Sequence, residues 1–173
     1  MTADADHPLV FLDVDGPLIP FRARPVSCRR PSCDAVGLSN DASGNPLVDR
    51  LDPADGHRLL ELGCQLVWAT TWMAEANEVI SPQLGLPELP VVDFPDADDE
   101  PERGLHWKTR FLTRWAAGRS FVWIDDEVTD ADRRWVRGNH PGKALVHRVD
   151  PFVGLTDADV SSIRRWLADC QPK

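Results

Sequence analysis

Two aspartates, Asp13 and Asp15, stand two residues apart at the end of an apolar run and directly before Gly16. In an extended chain, side chains at i and i+2 point to the same side, so both carboxylates can face one reacting group before the chain turns at the glycine. A second acidic pair, Asp125 and Asp126, follows a later apolar run. Carboxylates that are buried together repel one another and require a cation. Oxygen ligands in a small open site suit Mg²⁺, which also binds substrate phosphate.

A basic and a hydroxyl side chain follow other predicted strands and complete a candidate phosphoryl site. Lys108 is one of three lysines in a chain with sixteen arginines, and it stands where a helix is predicted to begin. Its compact ammonium can pair with a phosphoryl oxygen. Thr70 supplies a hydroxyl donor, Thr71 competes with it for the same role, and the N–H groups at the start of the next helix favour an anion. Trp72 and Trp107 adjoin these residues and are candidates for the pocket lining.

The elements that must position these residues are strands alternating with helices. Short apolar runs predict five strands, at residues 9–14, 65–69, 89–92, 120–124 and 144–147. Helical spacing predicts helices at 57–63, 73–80, 108–117 and 130–137, and a last helix at 157–170 that Thr156 caps. Apolar strands alternating with helices predict a doubly wound, Rossmann-like α/β fold, with a parallel five-stranded sheet and helices on both faces. Ligands bind such sheets beyond the carboxyl ends of the strands.

A segment after the first strand falls outside this alternation and is predicted to form a flap or small cap at about residues 20–50. It is rich in Arg, Pro, Ser and Asn, and it contains Arg22, Arg24, Arg29 and Arg30. A guanidinium fork matches phosphate geometry, so these arginines could clamp a second phosphate or a polynucleotide backbone. A solubilising loop is an alternative of equal weight.

Composition bounds the class of protein. A chain of 173 residues, 42% hydrophobic and 27% charged, is expected to form a single folded domain over residues 1–173. The net charge of −9 repels polyanions and anionic membranes, so any contact with nucleic acid must use a local basic patch. No signal peptide or membrane span is read, and the four sparse cysteines favour a reducing, cytoplasmic setting. Cys28 and Cys33 lack a second ligand pair, so no zinc site is predicted.

Four segments resemble the motifs of the haloacid dehalogenase-like (HAD) superfamily of phosphohydrolases, in that family's order. FLDVDGPL is similar to the first motif, LVWATTW to the second, Lys108 in HWKT to the third and WIDDEVTD to the fourth. WATTWMAEAN and the nearly uncapped layout look like the small single-domain members, the phosphatase modules of RNA-repair proteins. Pro17 departs from the pattern, because the family commonly has Thr or Val there. A proline fixes a backbone angle and removes an N–H donor, so the path of the chain into the flap is not predicted.

The resemblance implies roles for the acidic residues. Asp13 would be the nucleophile that forms an aspartyl-phosphate, and Asp15 would protonate the leaving oxygen and then activate water. Mg²⁺ would be held by Asp13, Asp126 and the main-chain carbonyl of Asp15. Asp125 would orient these ligands, although the choice between Asp125 and Asp126 as direct ligand stays open.

The resemblance also implies the reaction class but not the substrate. Thr70, with Thr71 beside it, and Lys108 would hold the phosphoryl oxygens, and the presence of Asp15 favours phosphate-ester hydrolysis over dehalogenation. The substrate stays open between a small metabolite, a nucleotide, a polynucleotide end and a protein, as does the oligomeric state. A regulatory HAD-fold protein without turnover is the alternative. A receiver domain is disfavoured, since its acceptor aspartate follows the third strand.

Overall fold

The architecture is a parallel sheet covered by helices on both faces, seen in a computed structural model that describes residues 7–22, 46–94 and 104–170. The four strands are β1 (Leu9–Leu12), β2 (Gln65–Trp68), β3 (Phe121–Asp125) and β4 (Ala144–Arg148). Their order is β2-β1-β3-β4, and every neighbouring pair is parallel. All residues of β1 and β3 are buried, as expected for the central strands of a parallel sheet.

The register brings the carboxyl ends of the strands to one edge. Leu12 of β1 pairs with Trp68 of β2 on one side and with Ile124 of β3 on the other. The Asp13 N–H donates to the Ile124 carbonyl at 3.0 Å, and the Ala69 N–H donates to the Leu12 carbonyl at 2.8 Å. The residues that follow β1, β2 and β3 therefore emerge side by side.

The expected fifth strand at residues 89–92 is absent, so the five-stranded prediction was wrong. One isolated parallel bridge joins this segment to Trp68, whose N–H donates to the Pro90 carbonyl at 2.8 Å. Pro90 has no N–H for a ladder. The side chain of Asn77 also binds the N–H of Leu89 at 2.9 Å and its carbonyl at 2.8 Å. Both backbone groups of Leu89 are already bonded, and Pro90 has no N–H to donate. The segment therefore adds one bridge to the sheet and not a strand.

Five α-helices connect or follow the strands within the described residues. They are α1 (Pro53–Leu60), α2 (Ser81–Leu84), α3 (Lys108–Ala116), α4 (Asp130–Asn139) and α5 (Asp157–Cys170). A π-helical turn, Ala76–Ile80, leads into α2, and a short 3₁₀ helix, Val48–Arg50, precedes α1. Every helix in these ranges is too short or too polar to cross a lipid bilayer.

Helix boundaries follow local capping chemistry. The helix predicted at 57–63 instead begins at Pro53, because the side chain of Asp52 accepts the Ala54 N–H at 3.0 Å and a proline suits the first helical turn. The predicted bounds of α5 agree with the structure, and the Thr156 hydroxyl accepts the Asp159 N–H at 3.2 Å, as an N-cap does.

The two faces of the sheet carry separate cores. On one face, Val10 and Leu12 pack in a cluster with residues of α1, α2 and α5. On the other face, Leu9 and Phe11 pack with residues of α3 and α4. Alternate residues of β1 thus face opposite helical layers, which is the doubly wound arrangement.

Candidate active site

Asp13 lies at the end of the central strand with its carboxylate fixed in place. The side chain is buried, and its Oδ1 accepts the Val14 N–H at 2.9 Å. Its Oδ2 lies 2.8 Å from the Lys108 Nζ. A carboxylate held by a charged partner and a backbone N–H keeps one orientation.

The turn after Asp13 needs a glycine. The N–H groups of Leu18 and Ile19 both donate to the Val14 carbonyl, and the Gly16 N–H donates to the Ile19 carbonyl at 3.0 Å. Gly16 has φ +88°, and a Cβ added there would lie 2.5 Å from the Cγ of Asp126. Any side chain at this position would strain the backbone and displace the Asp126 carboxylate.

Asp15 is held from the loop that follows β2. Its Oδ2 accepts a hydrogen bond from the Trp72 Nε1 at 3.1 Å. The backbone N–H of Trp72 donates in turn to the Thr70 Oγ1 at 3.3 Å. Thr70 is fully buried, whereas Thr71 beside it is exposed. The indole of Trp72 therefore links Asp15 to the loop that carries the two threonines.

Lys108 is the cation at the centre of the site. It begins α3, is only 3% exposed, and its Nζ lies 2.8 Å from Asp13 Oδ2 and 2.9 Å from Asp125 Oδ2. Its Nζ also lies 5.6 Å from the ring centroid of Trp107. Burial lowers the pKa of Lys108, but the two carboxylates raise it by more, so the net shift is upward. The ammonium therefore stays charged at neutral pH.

Both carboxylate oxygens of Asp125 are engaged by groups of the chain itself. The side chain is fully buried, and its Oδ2 accepts from Lys108 and from the Trp123 Nε1 at 3.2 Å. Its Oδ1 accepts the Glu127 N–H at 2.9 Å. Asp125 thereby anchors the ammonium of Lys108, and its oxygens are less free than those of Asp126 to bind an added ion.

An acidic cluster forms where Asp126 joins Asp13 and Asp125. Each of the three residues offers a carboxylate oxygen, and these atoms all lie within 4.8 Å of one another. Burial raises the pKa of Asp13 to about 7; Lys108 opposes this shift and Asp125 adds to it. Burial and then Asp125 raise the pKa of Asp126 to about 6. One ammonium does not balance three carboxylates, and such a set of hard oxygen ligands could bind a divalent metal.

Of the four flap arginines, only Arg22 lies within the described residues. Its guanidinium carbon sits 5.3 Å from the ring centroid of Phe152, which is itself half exposed. The predictions for Arg24, Arg29 and Arg30, and the thiols of Cys28 and Cys33, fall in residues 23–45, outside the described part of the chain. The proposed phosphate clamp therefore stays a prediction.

Asp132 is a positioning residue that sequence reasoning missed. It is fully buried, and its Oδ1 accepts the His106 N–H at 2.7 Å and the Thr109 hydroxyl at 2.6 Å. Its Oδ2 accepts the N–H of Thr129 at 2.8 Å and its hydroxyl at 2.7 Å. One carboxylate thus joins the start of α3, where Lys108 lies, to the start of α4.

These bonds keep Asp132 ionised. Burial raises the pKa of its carboxyl, but the hydrogen bonds from Thr109, Thr129 and the backbone lower it by more. The spacing of Thr129 and Asp132 is a capping-box pattern and could have been recognised in the sequence. The connection to α3 could not, because it joins segments that only the fold brings together.

Comparison with known proteins gives one family match. Residues 9–160 match the model of a family described as the HAD domain in Swiss Army Knife RNA repair proteins. No curated protein and no solved structure matches the chain. The family match covers the strands β1 to β4 and every residue of the acidic cluster. The chain belongs to the HAD-superfamily phosphohydrolases, in the family of HAD domains from Swiss Army Knife RNA repair proteins.

Proposed function

We propose that this protein is a Mg²⁺-dependent phosphatase that hydrolyses phosphate monoesters through an aspartyl-phosphate on Asp13. The observation that carries the proposal is the contact of Asp13 with Lys108 at 2.8 Å, inside an acidic cluster at the carboxyl edge of the sheet. The ammonium balances part of the charge on the incoming phosphate, which the carboxylates alone would repel. Membership of the HAD phosphohydrolases supports the same reaction class.

The proposed reaction has two displacements at phosphorus. A carboxylate oxygen of Asp13 attacks, the bond from phosphorus to the leaving oxygen breaks, and Asp15 donates a proton to that oxygen. Asp15 then accepts a proton from water, the water oxygen attacks phosphorus, and the bond to Asp13 breaks to release inorganic phosphate. Lys108, Thr70 and the neighbouring Thr71 hold the non-bridging oxygens.

The residues present fit Mg²⁺. Asp13 and Asp126 would hold the ion together with the main-chain carbonyl of Asp15, while Asp125 keeps Lys108 in place. Bound there, Mg²⁺ would neutralise charge on the phosphoryl oxygens. Burial, with the charge of Asp125 added to it, raises the pKa of both Asp13 and Asp126, and a bound cation would oppose this shift.

For the substrate class, we propose a phosphate at the end of a nucleic acid. The family description names RNA repair, and removal of a terminal phosphate is a reaction that prepares a strand end for joining. The expected assay result is Mg²⁺-dependent release of phosphate from para-nitrophenyl phosphate and from phosphorylated oligonucleotides. Absence of turnover of both substrates with every divalent metal tested would instead favour the regulatory, non-catalytic alternative.

Metal and proton are expected to compete for the acidic cluster. The unfolded chain releases the protons of Asp13 and Asp126 near pH 3.8, but the folded protein keeps them to about pH 7 and 6. Protonation of these two carboxyls therefore contributes stability to the metal-free protein, and this contribution is lost as pH rises through this interval. Bound Mg²⁺ offsets the repulsion, so the rise in Tm on adding Mg²⁺ should be larger at about pH 8 than at about pH 5.

The control for this measurement is a pair of single-charge variants. Asp126→Asn should remove most of the Mg²⁺-dependent rise in Tm, whereas Asp169→Asn, an exposed position on α5, should keep it. An equal rise in Tm at both pH values would contradict the proposed ligand set.

The hydrogen bond from Trp72 to Asp15 predicts a dependence on the leaving group. Trp72→Phe removes the N–H that lies 3.1 Å from the Asp15 Oδ2 and keeps an aromatic ring. If Asp15 supplies a proton, kcat should fall about tenfold for phenyl phosphate and far less for dinitrophenyl phosphate, whose leaving group needs no proton.

Two comparisons isolate this effect. In an Asp15→Asn background, Trp72→Phe should cause no further loss, because the two residues act through one contact. Trp115→Phe, which alters a tryptophan packed against Phe11, should leave kcat unchanged. Equal losses with both esters would show that Trp72 supports packing and not proton transfer.

A further inference from the structure

A basic cavity opens at the far edge of the sheet, away from the acidic cluster. It has a volume of about 370 Å³ and lies between α4, β4 and α5. Its lining includes Arg133, Arg137, Lys143 and Trp166, which we call the cationic groove, and it contains no acidic residue. In a chain with a net charge of −9, a cavity whose lining holds three cations and no acidic residue is a local basic surface.

Most of this positive charge is available to a ligand. Lys143 and Arg137 are exposed, and the Lys143 Nζ donates only to the neutral backbone carbonyl of Asp169 at 3.0 Å. Among the described residues, the side chain of Arg137 makes no ion pair or hydrogen bond. Arg133 alone pairs with a carboxylate, that of Asp130 at 2.6 Å.

The cationic groove runs along β4, whose carboxyl end lies beside the acidic cluster. β4 is the edge strand, and the Arg133 Nε covers it by donating to the Val146 carbonyl at 3.0 Å. At the carboxyl end of β4, the Arg148 Nε donates to the main-chain carbonyl of Asp126 at 3.0 Å. From Lys143 to Arg148 the strand spans about 17 Å, which is the length of about five nucleotides stacked at about 3.4 Å each.

We infer that a single-stranded polynucleotide lies in the cationic groove while its terminal phosphate occupies the site at Asp13. This inference rests on the proposed function. Arg148, Arg133 and Lys143 stand at successive levels along β4, and Arg137 lies one helical turn from Arg133 on α4. Each of these four cations can meet a backbone phosphate. Trp166 is half-buried and lines the groove, where it supplies an aromatic side chain of the type on which the bases of single strands stack. A small phosphate ester would fill the active site and leave the groove empty.

The test compares two double variants that remove equal charge. Arg137→Gln with Lys143→Gln alters the cationic groove, and Arg114→Gln with Arg134→Gln alters exposed arginines of α3 and α4 outside its lining. The substrates are single-stranded octanucleotides with a 3′- or a 5′-phosphate, a phosphorylated mononucleotide and para-nitrophenyl phosphate. Binding of a fluorescent octanucleotide is measured in parallel by anisotropy over a range of salt concentrations.

The groove variant should raise KM for the octanucleotide about tenfold and leave KM for the two small substrates unchanged. In a plot of the logarithm of the binding constant against the logarithm of the salt concentration, the slope should become shallower by about two. This corresponds to one released counter-ion for each lost phosphate contact. The control variant should behave as the unmodified protein does with every substrate.

Two results would overturn the inference while leaving the phosphatase proposal in place. They are equal effects of the two double variants, and a KM that is the same for octanucleotide and mononucleotide in the unmodified protein. If no ester is hydrolysed at all, the phosphatase proposal fails. The anisotropy measurement then decides separately whether the cationic groove binds the strand.

Discussion

Asp13→Asn is expected to abolish phosphatase activity while the protein stays folded. The amide has the size of the carboxylate but cannot attack phosphorus, so no aspartyl-phosphate can form. Activity towards para-nitrophenyl phosphate should fall to the background rate. Acid quenching during turnover of a ³²P-labelled ester should trap labelled protein from the unmodified chain and none from the variant.

The stability of this variant separates chemistry from folding. Burial raises the pKa of Asp13 to about 7, so the ionised carboxylate costs stability above that pH. Lys108 keeps its second partner, Asp125, at 2.9 Å. Asp13→Asn should therefore unfold at a denaturant concentration no lower than the unmodified protein at about pH 8. Asp93→Asn, at an exposed position, is the control and should retain full activity. Substantial turnover by a folded Asp13→Asn protein would rule out the covalent route.

Lys108→Met is expected to damage both stability and activity. Removal of one partner from a buried ion pair leaves uncompensated charge and costs about 3–5 kcal/mol. Here two carboxylates, those of Asp13 and Asp125, lose the ammonium at once. Methionine fills a similar volume, so the loss measures charge and not a cavity. Denaturant unfolding gives the free energy, and kcat should fall at least a hundredfold because a phosphoryl oxygen loses its cation.

The pH dependence of the Lys108→Met effect identifies its cause. Without the ammonium, the pKa of Asp13 rises further, and protonation at about pH 5 removes much of the repulsion. The destabilisation should therefore be smaller at about pH 5 than at about pH 8. Lys143→Met, an exposed lysine before β4, should change the unfolding free energy by less than about 0.5 kcal/mol at either pH. A pH-independent loss would mean that Lys108 matters for packing and not for charge.

Local signals were enough to locate most elements of this fold. Hydrophobic runs placed β1, β2, β3 and β4 to within two residues, because strands buried on both faces must be apolar throughout. α5 follows from one cap, Thr156, and a periodic apolar face. The run at residues 89–92 has the same apolar character but forms only a bridge. The side chain of Asn77, in the π-helical turn, binds both backbone groups of Leu89, and no pattern within the run predicts this contact.

The order of acidic residues, threonines and Lys108 along the chain predicted which strand ends meet, because parallel strands must end at one edge. The contacts between the side chains of the site could be seen only in the tertiary structure. Trp72 reaches Asp15 across 57 positions of sequence, and Asp132 ties the start of α3 to that of α4. These contacts depend on how loops pack and not on any spacing within a segment.

The sequence by itself determined the α/β fold class and the acidic residues at the strand ends, since residue type and strand periodicity are local properties. The role of Asp13 as candidate nucleophile is what the resemblance to the HAD motifs implies. Only the tertiary structure decided how Asp125 and Asp126 differ. Neighbouring residues of an extended strand point to opposite sides. On the side where α3 packs, the carboxylate of Asp125 accepts hydrogen bonds from Lys108 and Trp123. Asp126 instead lies close to Gly16. Which partners each face of the sheet receives depends on how helices distant in sequence pack against it, so residues throughout the chain determine the contacts of Asp125 and Asp126.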